Sequence, residues 1–136
     1  MDYESIASIL GGKAEAEGIE ALSVYERNVL LPYWASGIIG NGGFQYFYEG
    51  AINAIEVAEA FDALGLSECA EACRQSLAVF PNCQPAPDQQ ERWKWMDDNE
   101  ERTQEAWEPL DQIIWDADKE LETKVRAYIA AHLSDS

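Results

Sequence analysis

Hydrophobic and polar positions recur at helical spacing along nearly the whole chain. A short amphipathic piece begins near Tyr3 and is expected to stop at Gly11-Gly12, leaving Lys13 to Gly18 as a loop or loose turn. Ser23 stands three residues before Glu26, the spacing of a capping box in which each side chain satisfies the other's free backbone donor. It opens a mostly apolar helix through Val24, Val29, Leu30, Tyr33 and Trp34. Pro32 predicts a kink or a split in that helix, because its ring clashes with the preceding turn. Gly40-Asn41-Gly42-Gly43 is expected to end it, since glycine and asparagine tolerate positive φ. The aromatics Phe44, Tyr46, Phe47 and Tyr48 have strand propensity, but no second strand run exists to pair with them. A helical segment docked on the core fits better.

From Asn53 to Leu64, Val57, Phe61 and Leu64 define one buried face, and Gly65 closes the helix. Ser67 is expected to cap the next helix, which carries Cys69, Ala70, Cys73, Leu77 and Val79 to its end near Phe80. Pro81 to Pro87 reads as a loop. Asp88 and Glu91 repeat the capping-box spacing before Trp93, Trp95 and Met96. Thr103, Trp107, Leu110 and Ile114 then form one apolar seam, with Pro109 expected to break the helix after Glu108. A last helix holds Leu121, Val125, Tyr128, Ile129 and Leu133, with Glu120–Lys124 and Glu122–Arg126 in the favourable order for ion pairs. The pattern predicts an all-α fold, a single compact domain of six to eight helices over residues 1–136.

Charge changes the picture. The 136 residues include 26 acids and 9 bases, a net charge of −17, with 47% hydrophobic residues. That apolar content supports a packed core. The charge repels nucleic acid and anionic lipid, so neither is an expected partner. The 21 positions from Asn28 to Tyr48 carry no charge. That would be long enough for a bilayer of ~30 Å. However, the Asn-Gly-Gly turn would leave backbone groups bare in lipid, which argues against a membrane span. Three cysteines (Cys69, Cys73 and Cys83) are an odd number for a disulfide framework. The start, Met-Asp-Tyr-Glu-Ser-Ile, lacks the basic and apolar stretches of a secretory signal. A cytoplasmic protein with free thiols is expected.

Small domains are kept soluble by a charge of magnitude ~2–8, so −17 asks for a further explanation. Glu101, Glu105 and Glu108 each stand two residues before a seam residue. Two residues turn a helix by ~200°, which points these acids away from the core. Residues 88–122 hold 13 acids against 4 bases, and Asn28 to Cys73 holds six acids and no lysine or arginine. B-DNA presents one phosphate per ~1.7 Å of axis, whereas one helical row presents a carboxylate per ~5 Å. Imitating DNA would therefore take several acidic helices on one face. The candidate partner-binding acids are Glu49, Glu56, Glu59, Asp62, Asp97, Asp98, Glu101, Glu105 and Glu108.

Candidate chemistry is thin. The single histidine, His132, sits in the last turn of the last helix, where an imidazolium suits the helix C-terminus. No Gly-x-Ser-x-Gly elbow, phosphate loop or His-Glu-x-x-His pattern occurs. Cys69 and Cys73, with Cys83 and His132, could be imagined as a zinc set, but buried cysteines usually act as small hydrophobes. No catalytic residue, metal or cofactor is expected.

Asn41-Gly42-Gly43-Phe44, leading into Tyr46-Phe47-Tyr48, resembles a bacterial DNA-mimic (DMP-type) domain family. The resemblance continues through the alanine- and glutamate-rich helix of Ala58 to Gly65, Phe80-Pro81, Arg92, Leu110-Asp111 and the Tyr128-Ile129 helix with His132, covering about residues 20–133. Where the family usually has Asn-Ser and Gly-Asp-like residues after the aromatics, this chain has Glu49-Gly50-Ala51-Ile52. The resemblance implies an all-helical acidic protein that occupies the DNA-binding surface of a transcription factor. The expected function is thus a non-enzymatic protein that binds a basic DNA-binding partner. A toxin-neutralising protein, or an enzyme with an aromatic pocket around Phe44, Tyr46, Trp34 and Trp93, are the alternatives.

Overall fold

The computed structural model describes residues 2–132, and these form seven α-helices and no strand. They are α1 (Tyr3–Glu17), α2 (Val24–Glu49), α3 (Ala54–Ala63), α4 (Ser67–Ser76), α5 (Gln89–Asp98), α6 (Glu100–Asp116) and α7 (Asp118–His132). The predicted all-α single domain is what is found. Helices α2, α3, α4 and α6 pack in a closed ring: α3 and α6 each lie against α2 and α4. Helices α1 and α7 cover the first part of α2, and α5 bridges α2 and α6. The ring's interior is aromatic. Tyr48 stacks on Trp107 at 5.2 Å and meets Phe80 edge-on at 4.9 Å, while Phe44 and Phe47 are fully enclosed beside it.

The helix starts follow their caps. Ser23 Oγ accepts from the Glu26 amide and Glu26 Oε1 from the Ser23 amide, completing the predicted box. Those bonds hold the Glu26 carboxyl below its ordinary range. Asn53 Oδ1 accepts from the Ile55 and Glu56 amides. Asp88 caps α5 through the Glu91 amide. Gly65, at φ 80, closes the α3 end as expected.

Four expectations are corrected. First, α1 does not stop at Gly11-Gly12 but runs to Glu17 and is closed by Gly18. Ala7, Leu10 and Ala14 continue its buried stripe, and Gly11 packs toward the Trp34 ring with room for an ordinary van der Waals contact. Second, α2 keeps helical dihedrals through Pro32, and its only irregularity is at Gly42-Gly43. Pro32 is buried among Leu30, Leu31 and Ala35, where packing outweighs one lost hydrogen bond. Third, α6 is continuous across Pro109, which lies on its exposed side, where water can serve the carbonyl left without a donor. Fourth, Ser67 is the first residue of α4 and not its cap; Leu66 holds that position with no side-chain bond. Of the predicted α7 pairs, Glu122–Arg126 forms at 2.9 Å. Leu133 lies outside the described residues.

Among the described residues no helix is long and apolar enough to cross a membrane.

Candidate functional site

The most specific sequence feature, Asn41 to Phe44, builds a joint inside α2. Gly42 (φ −151°, ψ 16°) and Gly43 (φ 68°, ψ −170°) interrupt the helix, and residues 44–49 resume it. Gly43 occupies a region open essentially to glycine alone. A Cβ there would collide with the Asp111 carboxylate. The joint is tied from α6: Asp111 Oδ1 accepts from the Phe44 amide at 2.8 Å, and Trp115 Nε1 donates to the Ile39 carbonyl at 2.9 Å.

The other end of the short helical piece is tied from α5. Arg92 is buried and ties two segments together: Nε donates to the Tyr48 carbonyl (2.6 Å) and one terminal nitrogen to Gly50 (2.8 Å) at the end of α2, and the other terminal nitrogen to Ala86 (2.9 Å) in the loop before α5. Trp93 Nε1 (2.9 Å) and Gln89 Nε2 (3.2 Å) both donate to the Glu49 carbonyl. A carboxylate at its N-terminus and a guanidinium at its C-terminus match the helix dipole. Burial raises the Asp111 carboxyl above its ordinary value despite the Phe44 hydrogen bond, and the nearby Glu108 charge adds to the rise. The Asn41–Phe44 motif, Arg92 and Asp111 are therefore explained by architecture. Arg92 and Asp111 carried no assigned task in the sequence. The available signal was an arginine flanking tryptophans in an acidic stretch, and an acid placed directly after the seam residue Leu110.

A model of the DMP19-like protein family matches residues 20–132. The chain belongs to that family. No curated protein and no solved structure matches it. The match takes in the joint, the ring of four helices and all nine candidate acids, and leaves out the whole of α1.

In this DMP19-like domain the α6 seam is as predicted: Thr103, Trp107, Leu110 and Ile114 are buried. On the opposite side Glu101, Glu105 and Glu108 are exposed, followed by Gln112 and Asp116. Asp97 and Asp98, also exposed, end α5 just before α6 begins. Glu49 is half-buried at the end of α2 and accepts from Gln45. Glu49 and Asp97 line one groove of about 710 Å³ between α2, α5 and α6. Glu56, Glu59 and Asp62 are exposed on α3. Helix α3 lies diagonally across the ring from α6, so its outward side faces the opposite flank. The nine acids thus fall into two groups and not one ribbon. Among the described residues Asp62 is bonded to Arg74, and Asp98 is paired with Lys94 at 3.0 Å. No ion pair among them involves Glu56, Glu59, Asp97, Glu101, Glu105 or Glu108.

Cys69 and Cys73 are buried free thiols, pushed up by burial to about 11 and about 12. His132 stacks on Tyr25 with ring centroids 4.7 Å apart. The four aromatics imagined as one pocket do not gather. Phe44 is enclosed in the core, Trp34 lies against Gly11, and Trp93 lines the α2–α5–α6 groove.

Proposed function

We propose that the chain is a non-enzymatic acidic protein that covers the basic, DNA-binding surface of a protein partner, and so regulates the transcription that partner controls. Membership of the DMP19-like family supports this reading, the family being of DNA-mimic type. The observation that carries it furthest is the α6 row. Three carboxylates stand on the side opposite the buried seam and make no ion pair among the described residues, with Arg102 the one base of α6 beside them. Nothing in the packing of α6 needs them there. Asp97 and Glu49 add carboxylates in the groove that Glu100 lines at the start of α6, while Asp98 is paired with Lys94. Glu56, Glu59 and Asp62 belong to a second, separate surface.

Attraction between exposed charges speeds association and weakens steeply with salt. The test is affinity capture of DNA-binding proteins at low ionic strength, followed by competition with duplex DNA. Capture of a basic DNA-binding protein that duplex DNA displaces, with binding lost on E101K/E105K/E108K, is the expected result. Unchanged binding by that variant overturns the α6 assignment. A captured basic partner indifferent to duplex DNA replaces mimicry with toxin neutralisation.

A further inference from the structure

We infer that the groove between the end of α2, α5 and α6 receives an arginine side chain of the basic partner, held against Trp93 by Glu49, Asp97 and Glu100. The inference rests on the partner being a basic protein, and adds which of its side chains is recognised and where.

Trp93 is 41% exposed although most of the molecule's other aromatic rings lie in the core. Its ring is not loose, because Nε1 is committed to the Glu49 carbonyl at 2.9 Å. The indole is therefore held in place before any partner arrives, and a fixed aromatic face loses little freedom on binding. Around it the groove is rich in acceptors. Gln45 Nε2 donates to the Glu49 carboxylate at 3.1 Å and Gln104 Nε2 to the Glu100 carboxylate at 3.3 Å. Both amides thus spend donors on orienting the carboxylates and leave their oxygens as further acceptors. Asp97 adds a third carboxylate. The cation lining the groove, Lys94, is engaged by Asp98 at 3.0 Å.

A planar ligand with many donors, no acceptor and a face that stacks on an indole meets these conditions, and guanidinium is such a group. An ammonium offers a compact, strongly hydrated charge and no plane to stack. The groove, about 710 Å³, has ample room for a guanidinium and its stem.

Hexa-arginine and hexa-lysine peptides, equal in charge, separate this site from general attraction. At low salt the wild-type chain is expected to bind hexa-arginine more tightly, with the Trp93 indole N–H resonance shifting on titration. Trp93→Ala should weaken hexa-arginine by about fivefold and bring the two peptides level, the scale of a cation–π contact. Because Trp93 also caps α2, a second variant, Asp97→Asn with Glu100→Gln, leaves the indole in place and should weaken hexa-arginine by a similar factor. Equal affinity of the wild type for both peptides, or hexa-arginine binding untouched by both variants, overturns the groove while the reading of a basic partner stands. Absence of binding by either peptide overturns both.

Discussion

The short helical piece at residues 44–49 and the outer side of α6 treat polar groups in opposite ways. At the first, helix-end groups are met by Asp111, Arg92, Trp93 and Gln89, drawn from two other helices. At the second, Glu101, Glu105 and Glu108 point into solvent without an ion pair among the described residues. The most recognisable residues of the chain are spent on shape. The residues proposed to bind a partner are ordinary glutamates, defined only by which side of a helix they occupy. A family motif here marks the scaffold, and the surface chemistry is written elsewhere.

Substitutions sharpen that contrast, and the largest effect is expected at the joint. Gly43→Ala forces a side chain into a glycine-only backbone region and onto the Asp111 carboxylate. A loss of about 4 kcal/mol is expected from strain and overpacking together, read by urea unfolding. Arg92→Met removes the donor to three buried or half-buried carbonyls. Its cost should be about 3 kcal/mol, the scale of unpaired backbone acceptors.

Asp111→Ala should cost about 1 kcal/mol, as loss of a helix N-cap does, while Asp111→Asn keeps an acceptor for Phe44 and should cost little. The same pair carries a pH signature. A raised carboxyl takes up its proton in the folded state before the unfolded chain does. Asp111 therefore adds stability as pH falls through its folded pKa and withdraws it as pH rises. Unfolding measured from pH 4 to 7 should show this slope in the wild type and lose it in Asp111→Asn.

The smallest stability effect, with opposite sign, is expected for Glu101→Gln, Glu105→Gln and Glu108→Gln combined. Like charges at i, i+3 and i, i+4 repel, so neutralisation should stabilise by roughly 0.5–1 kcal/mol. The same variant should bind its partner more weakly. A stabilised protein that keeps full binding would reduce the row to a hydration layer.

Much of this was legible in the chain itself. The Ser23–Glu26 box, the Asn53 helix and the α6 seam follow local rules, because caps and periodicity act within a few residues. Misreadings came where a local breaker was overridden, by tertiary packing at Gly11-Gly12 and Pro32 and by solvation of the exposed helix side at Pro109. The site was half legible. Which way Glu101, Glu105 and Glu108 point follows from the seam, but that α3 stands diagonal to α6 is a matter of topology, which spacing does not encode.

The two exposed indoles, each also held by its N–H, give the molecule optical reporters of its own. Trp93 sits beside the beginning of α6 and Trp115, 46% exposed, near its end, so they bracket the glutamate row. A macromolecule laid along that row would shade both rings from water at once, whereas one seated on the α3 flank would leave both emission spectra unmoved. Which flank is touched can thus be read from intrinsic fluorescence, with no label attached.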